Sequence, residues 1–310
     1  MSKLYILVGI PGCGKSTWAE KNLADSFRLL SSDKYREELF GDINDQTHND
    51  EVFKHLYANM VCYLNNNENV CLDATNLTRK SRAKVFNLLK DNHIECEKIA
   101  VVFAISEDVC RMRNLERDRT VPDFVIDRML RQFEIPFLGE GFDKIEFVDE
   151  PDKDYILNDE MLKMVGFNQN NPHHTATLDR HCEECWEHIQ AEALRARIDD
   201  FVPFSMAARV HDIGKLYTQT WDTEKHYCHY IGHENYGAYK VLTMGSLNSL
   251  EDYDSCPIDY RYKLAFYINY HMEPFRLAKA KEETKEKYIS QFGEYWNNIL
   301  LLHEADVNAH

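Results

Sequence analysis

Two groups of residues in this chain have types and spacings suited to chemistry on phosphate. The first is Gly9-x4-Gly14-Lys15-Ser16, with Gly12 and Thr17 completing the pattern, directly after the apolar run 4–8. A strand, a glycine-rich turn and a helix start in that order make a phosphate cradle: backbone N–H groups and the helix N-terminus converge on an anion. Lys15 adds a point charge for the β/γ-phosphates, and the Ser16 hydroxyl is placed to hold Mg²⁺. The expected ligand is ATP or another nucleoside triphosphate with Mg²⁺. The second group is His211-Asp212, in the run Met206-Ala-Ala-Arg-Val-His-Asp-Ile-Gly-Lys215. An apolar helical stretch there abruptly presents an imidazole and a carboxylate, a mixture suited to Mn, Fe, Co, Ni or Zn. Lys215, one turn beyond His211, is placed to offer an ammonium to a substrate phosphate. Alone, a His-Asp pair also reads as a buried hydrogen-bonded pair.

Around the first group, Asp33 in Ser31-Ser32-Asp33-Lys34-Tyr35-Arg36 follows the second candidate strand. Ligands of open α/β sheets bind outside the carboxyl ends of the strands, so Asp33 would face the nucleotide and accept a proton from an attacking hydroxyl. Arg36, on the same helical face, could grip an incoming phosphate bidentately. Capping a helix is an equal reading for Asp33. The third strand ends in Asp73-Ala-Thr75-Asn76, where a carboxylate beside the glycine turn organises Mg²⁺; Thr75 and Asn76 could orient neighbouring loops, and a cap reading applies to Asn76. Arg111, Arg113, Arg117 and Arg119 form a basic run. A solvated face is the commonest meaning of such a run, but this one lies in an acidic chain, where a nucleotide kinase carries its lid. Guanidiniums closing on the β/γ-phosphates would stabilise charge in transfer.

The elements that must position these residues change character midway. Candidate strands at 4–8, 28–31, 70–73, 99–104 and 145–148 alternate with amphipathic stretches at 16–24, 47–64, 79–89, 107–116 and 123–133. That alternation predicts a parallel sheet flanked by helices. The acidic segment 149–154, with Pro151, reads as the domain exit. From about residue 170 helical periodicity dominates, with one strand-like piece near 226–230. The expected organisation is an α/β domain over 1–155 and an all-α domain over 165–310. At 310 residues the chain can bury two cores. No apolar stretch reaches the roughly 18 residues that span a bilayer, and no charged-then-apolar leader is present, so a cytoplasmic chain with no membrane partner is expected. Nine scattered cysteines fit a reducing compartment. Cys182-Glu-Glu-Cys185 lacks a second CxxC; His181, Cys185 and His188 would share a helix face, and reduced thiols are the plainer reading. The net charge of −16 argues against coating duplex nucleic acid, though not against gripping a chain end in a basic cleft.

Gly9-x4-Gly14-Lys15-Ser16-Thr17-Trp18-Ala19, Asp33-x2-Arg36, Asp73-x-Thr75-Asn76-Leu77, and Arg113-Asn114-x2-Arg117 with Val121-Pro122 beyond resemble the 5′-hydroxyl polynucleotide kinases of phage and bacterial RNA repair over roughly residues 1–150. The resemblance implies Asp33 as general base, Arg36 on the acceptor phosphate, and Arg113 and Arg117 as lid arginines on the phosphate donor. In the second half, His181, His211-Asp212, His233 in Gly232-His-Glu-x2-Gly237, His271 in Ile268-Asn-Tyr-His, and Asp306 resemble the order found in HD-domain phosphohydrolases, over roughly 171–310. It implies a first metal on His181, His211, Asp212 and Asp306, with His233 and His271 on a second metal or on the phosphate. His181 rather than His174 is taken as the first ligand, from its helix context.

Together the two halves resemble bacterial RNA end-healing enzymes, with the kinase leading where some of those carry the HD module first. The implied activities are phosphorylation of 5′-OH polynucleotide ends and metal-dependent removal of a 2′,3′-cyclic phosphate or 2′-phosphate, with nucleic-acid ends (RNA) and an RNA ligase as partners. Two other readings stand beside this one: a small-molecule nucleoside kinase fused to a nucleotide phosphohydrolase, and a nucleotide-sensing protein whose HD module holds metal without turnover.

Overall fold

A computed structural model describes residues 1–117, 120–172, 175–196, 201–248 and 256–309. It divides into two compact units: residues 1–129 with 136–149, and residues 130–135 with 150–310.

The first unit carries the parallel sheet flanked by helices that the strand-helix alternation predicts. Its elements are β1 (Lys3–Val8), α1 (Lys15–Leu23), β2 (Arg28–Ser31), α2 (Ser32–Phe40), α3 (Asn49–Asn65), β3 (Val70–Asp73), α4 (Arg79–Asp91), β4 (Glu97–Ile105), α5 (Glu107–Leu115), α6 (Asp123–Leu130) and β5 (Lys144–Glu150). Strand order is β2-β3-β1-β4-β5. The β1–β3, β1–β4 and β2–β3 pairs are parallel, so β1 to β4 all present their carboxyl ends at one edge. Leu4, Ile6, Leu7 and Val8 are fully buried, as are nearly all residues from Ile99 to Ile105. Continuous apolar strands of this kind belong to a sheet covered on both faces. One polar pair is sealed into the same core: Arg82 donates to both carboxylate oxygens of Glu140 at 2.7 and 2.8 Å, and to the carbonyls of Asn76 and Leu77. Burial of such a charge is tolerable because each guanidinium nitrogen has an acceptor.

The helix expected over 123–133 stops at Leu130. Residues 130–135 belong to the second unit, and their backbone groups are claimed there by side chains. Asn235 Nδ2 donates to the Arg131 carbonyl at 2.8 Å, and Asn269 Nδ2 to that of Phe133 at 3.0 Å. Asn269 Oδ1 accepts from Ile135 N at 2.7 Å, and the Tyr270 hydroxyl donates to the Ile135 carbonyl at 2.6 Å. Phe133 and Ile135 are fully buried.

The second unit has an all-α scaffold: α7 (Leu157–Met164), α8 (Leu178–Ala196), α9 (Phe201–Val210), α10 (Lys215–Thr218), α11 (His233–Leu242), α12 (Ile258–Tyr270), α13 (Glu273–Leu277), α14 (Glu282–Phe292) and α15 (Tyr295–Asn308). Helix α9 packs on α8 and α12, α11 on α12, and α15 on α8. Two small pairings join the helices. The expected strand-like piece is β8 (Tyr227–His229), antiparallel to β7 (Thr220–Asp222), and β6 (Asp152–Ile156) pairs with β9 (Met244–Ser246). No helix among the described residues is long and apolar enough to cross a membrane.

Candidate functional sites

The parallel edge of the first unit gathers three loops. β1 ends at Val8 and opens into the glycine turn, β2 ends at Ser31 before Asp33, and β3 ends at Asp73. Gly12 has φ +83°, and a Cβ there would sit 2.1 Å from the Cys110 carbonyl oxygen, so a side chain is excluded twice over. Gly14, also left-handed, is the N-cap of α1. Gly9 N donates to the Thr75 carbonyl at 3.2 Å, and Asn76 Nδ2 to the Leu7 carbonyl at 2.8 Å. Thr75 and Asn76 thus fasten the end of β1; the cap of α4 is Thr78, whose side chain accepts from Ser81 N.

Lys15 Nζ donates to the Gly9 and Ile10 carbonyls at 2.9 and 2.8 Å. Ser16 Oγ donates to Asp73 Oδ2 at 2.7 Å. Asp33 is not the cap of α2, since Ser31 occupies that position. Its Oδ1 accepts from Arg36 Nη1 at 2.7 Å, and its Oδ2 lies 3.9 Å from Arg117 Nη2. Arg36 Nη2 in turn donates to Asn49 Oδ1 at 2.6 Å. A cleft of about 900 Å³ is lined by Gly12, Gly14, Lys15, Ser16, Thr17, Asp33, Arg36, Asp73, Arg113 and Arg117, among others. Gly9 supports the turn without lining that cleft. Arg119 lies outside the described residues. Arg111 is held by Glu107, Asp123 and Asp127 and does not line the cleft. Asn49, Phe53 and Arg128 do line it. No local pattern singled them out; Asn49 matters only through Arg36, thirteen residues earlier.

In the second unit, five segments bring imidazoles and carboxylates together. His181 comes from α8, His211-Asp212 from the turn just after α9, His233 from the first position of α11, His271 from the end of α12, and Asp306 from α15. Close approach of the His211-Asp212 turn to α11 depends on Gly214, where a Cβ would lie 1.9 Å from the His233 carbonyl oxygen. His181 Nε2 is 3.0 Å from Asp306 Oδ1 and 3.4 Å from Asp212 Oδ2; His211 Nε2 is 3.3 and 3.5 Å from the same two atoms. His233 Nε2 and His271 Nε2 lie 3.0 and 3.9 Å from Asp212 Oδ1. Two sets of potential ligand atoms therefore each fall within 4.8 Å: His181, His211, Asp212 and Asp306, and Asp212, His233 and His271. Asp212 belongs to both, one oxygen to each.

The imidazole tautomers are set by the backbone. Nδ1 of His211, His233 and His271 lies 2.9, 2.8 and 2.7 Å from the carbonyl three residues earlier, and Nδ1 of His181 is 3.2 Å from the Ala309 carbonyl. A carbonyl only accepts, so each Nδ1 carries the proton and each Nε2 turns inward. Ligating histidines are oriented in this way. Burial opposes ionisation of Asp212, yet Lys215 and His211 hold its carboxyl well below the usual range; hydrogen bonds from His181 and His211 do the same for Asp306. Burial would lower His181, but hydrogen bonds to the two carboxylates lift it to about 9, and His211 is raised in the same sense. His271 is pushed down to about 3 by burial and the adjacent His211 and His233. Ionised carboxylates among inward Nε2 atoms fit a divalent transition metal.

Lys215 Nζ pairs with Asp212 Oδ2 at 2.6 Å and donates to Gln169 Oε1 at 2.8 Å, so its ammonium is lodged at the ligand cluster itself. Gln169, 46 residues upstream, gave no sign in the sequence. Cys182 and Cys185 are buried free thiols, Cys182 Sγ lying 3.9 Å from His211 Nδ1, while His188 is exposed; the cluster drawn from the CxxC segment does not assemble among the described residues. His174 lies outside the described residues.

The fold and the two sites define a chain in which a P-loop domain is joined to an all-α domain bearing a His/Asp cluster. Comparison with known proteins agrees for the first half: the family model described as an AAA domain matches residues 4–136. An L-seryl-tRNA(Sec) kinase from Methanococcus maripaludis is 24% identical over 186 residues, covering 54% of this chain and 66% of the kinase. Among solved structures, a chain of a Pnkp1/Rnl/Hen1 RNA repair complex is similar at 28% identity, covering 42% of this chain and 43% of that one, with a TM-score of 0.37. A fungal RNA kinase is similar at 15% identity over 49% of this chain and 39% of its own, with a TM-score of 0.38. The chain spans less than two thirds of the length of each of these three proteins.

Proposed function

We propose that the first unit transfers the γ-phosphate of a nucleoside triphosphate to a 5′-hydroxyl at a polynucleotide end. The observation that carries this reading is Asp33, a carboxylate in the same cleft as the glycine turn, held by Arg36 and 3.9 Å from Arg117. The turn's N–H groups and Lys15 hold the β/γ-phosphates. Ser16 and Asp73 hold the Mg²⁺ that accompanies the nucleotide. Asp33 accepts the proton of the attacking hydroxyl, Arg36 grips the acceptor's phosphate, and Arg113 and Arg117 neutralise charge on the group in flight. The likeness to a kinase whose name specifies an aminoacyl-tRNA lends support to an RNA-borne hydroxyl as acceptor.

The second unit is proposed to be an HD-type phosphohydrolase that removes a 2′,3′-cyclic phosphate or 2′-phosphate from the other end of a broken strand. His181, His211, Asp212 and Asp306 hold one divalent metal, and Asp212, His233 and His271 hold a second or face the phosphate. Bound there, a divalent cation polarises a phosphoryl oxygen and acidifies water. The Nδ1–carbonyl bonds keep four Nε2 atoms aimed inward, those of His181 and His211 giving up their protons when a cation takes the place between them and the carboxylates, and Lys215 steadies Asp212 while offering positive charge beside the phosphate. Healed ends of both kinds would suit an RNA ligase.

The test of the first activity is radiolabel transfer from γ-labelled ATP to a 5′-OH oligonucleotide. Wild-type rates in both Lys15→Ala and Asp33→Ala would refute it. Nucleosides run beside oligonucleotides decide between a polynucleotide and a small-molecule acceptor, the latter favoured by the net charge of −16. For the second activity, His211→Ala is expected to abolish metal-dependent phosphate release while phosphoryl transfer persists.

A further inference from the structure

We infer that Asn114 is a positioning residue for phosphoryl transfer, holding Arg113 and Arg117 at the nucleotide cleft; the inference rests on the kinase reading above. Asn114 is the penultimate residue of α5 and is 1% exposed. Its carboxamide is spent on one residue: Nδ2 donates to the Val121 carbonyl at 2.8 Å, and Oδ1 accepts from Val121 N at 3.0 Å. A single side chain thus replaces the two bonds that a neighbouring strand would make, at a residue that belongs to no sheet. The clamp joins the end of α5 to the segment just before α6.

Both sides of the clamp face the cleft. Arg113 precedes Asn114, and Arg117 follows it by three residues with its N–H directed to the Asn114 carbonyl at 3.4 Å. Thr120, Val121 and Pro122 line the same cleft as these two arginines. The start of α5 is fixed independently, because Cys110 abuts Gly12 of the phosphate cradle and leaves no room for a Cβ. Arg111 adds a second tie to α6, through Asp123 at 3.3 Å and Asp127 at 2.5 Å. The register of α5 therefore sets Arg113 against the cradle, and the Asn114 clamp sets where the chain carries Arg117. Asn114 touches no reacting group; it acts through the two guanidiniums.

The experiment uses the full chain with Asn114→Leu, which keeps the shape and loses both bonds, and Asn114→Asp, which keeps the acceptor and sets a carboxylate against the Val121 carbonyl. Hydrogen exchange at the Val121 amide reads the clamp without reference to activity, and is expected to quicken at least about tenfold in Asn114→Leu, since both bonds go. kcat/KM for ATP is expected to fall by about 10- to 100-fold, the scale of an ångström-size misplacement, with the KM for a 5′-OH oligonucleotide held within about twofold. In an Arg113→Ala/Arg117→Ala background, Asn114→Leu should cost less than about twofold more, because coupled residues are non-additive. Unchanged kcat/KM despite faster exchange at Val121 overturns the inference, as does full additivity in the arginine-less background. If Asn114→Leu does not fold, Asn114→Asp decides by its kcat/KM and the same background test. A wild-type chain that moves no phosphate overturns the kinase reading itself and the inference with it; normal wild-type transfer with unaffected Asn114 variants overturns the inference alone.

Discussion

Ser16 Oγ donates to Asp73 Oδ2 at 2.7 Å, tying the first turn of α1 to the end of β3. The two oxygens that would face Mg²⁺ are already side by side. Asp73→Asn is expected to raise the Mg²⁺ concentration needed for half-maximal transfer at least about tenfold, the size of one charge-assisted contact. Ser16→Ala should act in the same direction and less strongly. A magnesium titration of phosphoryl transfer checks both; an unshifted midpoint in Asp73→Asn would remove that residue from the site.

Asp33 and Arg36 should separate in kinetics although they share a hydrogen bond. Asp33→Asn keeps a polar partner for Arg36 and loses the proton acceptor, so kcat is expected to drop about 10²- to 10⁴-fold with ATP binding little changed. Arg36→Ala instead should raise the acceptor KM. Steady-state kinetics with ATP and oligonucleotide varied in turn makes the distinction, and equal effects of both variants on both KM values would contradict it.

Asp212 is the hinge of the metal prediction, because Oδ2 faces His181 and His211 and Oδ1 faces His233 and His271. Asp212→Asn is expected to lower the content of every bound transition metal, whereas His271→Ala should spare the set built on His181, His211 and Asp306. Elemental analysis of purified protein reads this directly. Chelation should also lower the unfolding free energy of wild type, by about 4 kcal/mol of lost linkage if metal is present at a thousandfold its Kd, and should leave that of Asp212→Asn unmoved.

Asn269 serves residues 130–135 with both amide atoms, at 2.7 Å to Ile135 N and 3.0 Å to the Phe133 carbonyl. Asn269→Leu strands two buried backbone groups, so a loss of roughly 2–4 kcal/mol is expected, about 1–3 for each orphaned group with partial relaxation. Denaturant unfolding of the full chain measures it. A change under about 0.5 kcal/mol, the level of a surface substitution, would show these bonds to be dispensable.

The sheet of the first unit was legible because β1, β3 and β4 are largely buried and read as mainly apolar runs; the expected strand at 4–8 is β1 at Lys3–Val8. Helix 123–133 was overdrawn, since apolar periodicity carries on through Phe133 while Asn235, Asn269 and Tyr270, more than a hundred residues away, take the backbone elsewhere. The strands β6, β7 and β9 are too short for alternation to announce them, and the β6–β9 pairing is non-local as well. Histidines and aspartates in apolar surroundings stand out by type, and the geometry does gather them. Gln169 and Asn49 do not stand out, because amides are common and theirs reach the sites through the distant Lys215 and Arg36.

The hexapeptide 130–135 makes the two halves of the chain interleaved rather than consecutive. The polypeptide leaves the first unit at residue 130, returns at 136, and departs for good after 149. No one scission separates them cleanly: a protease nick near residue 150 would leave the helical unit without an internal piece encoded amid its neighbour. Splitting this protein into two working parts, or exchanging their order by gene fusion, therefore requires two junctions and a transplanted strap.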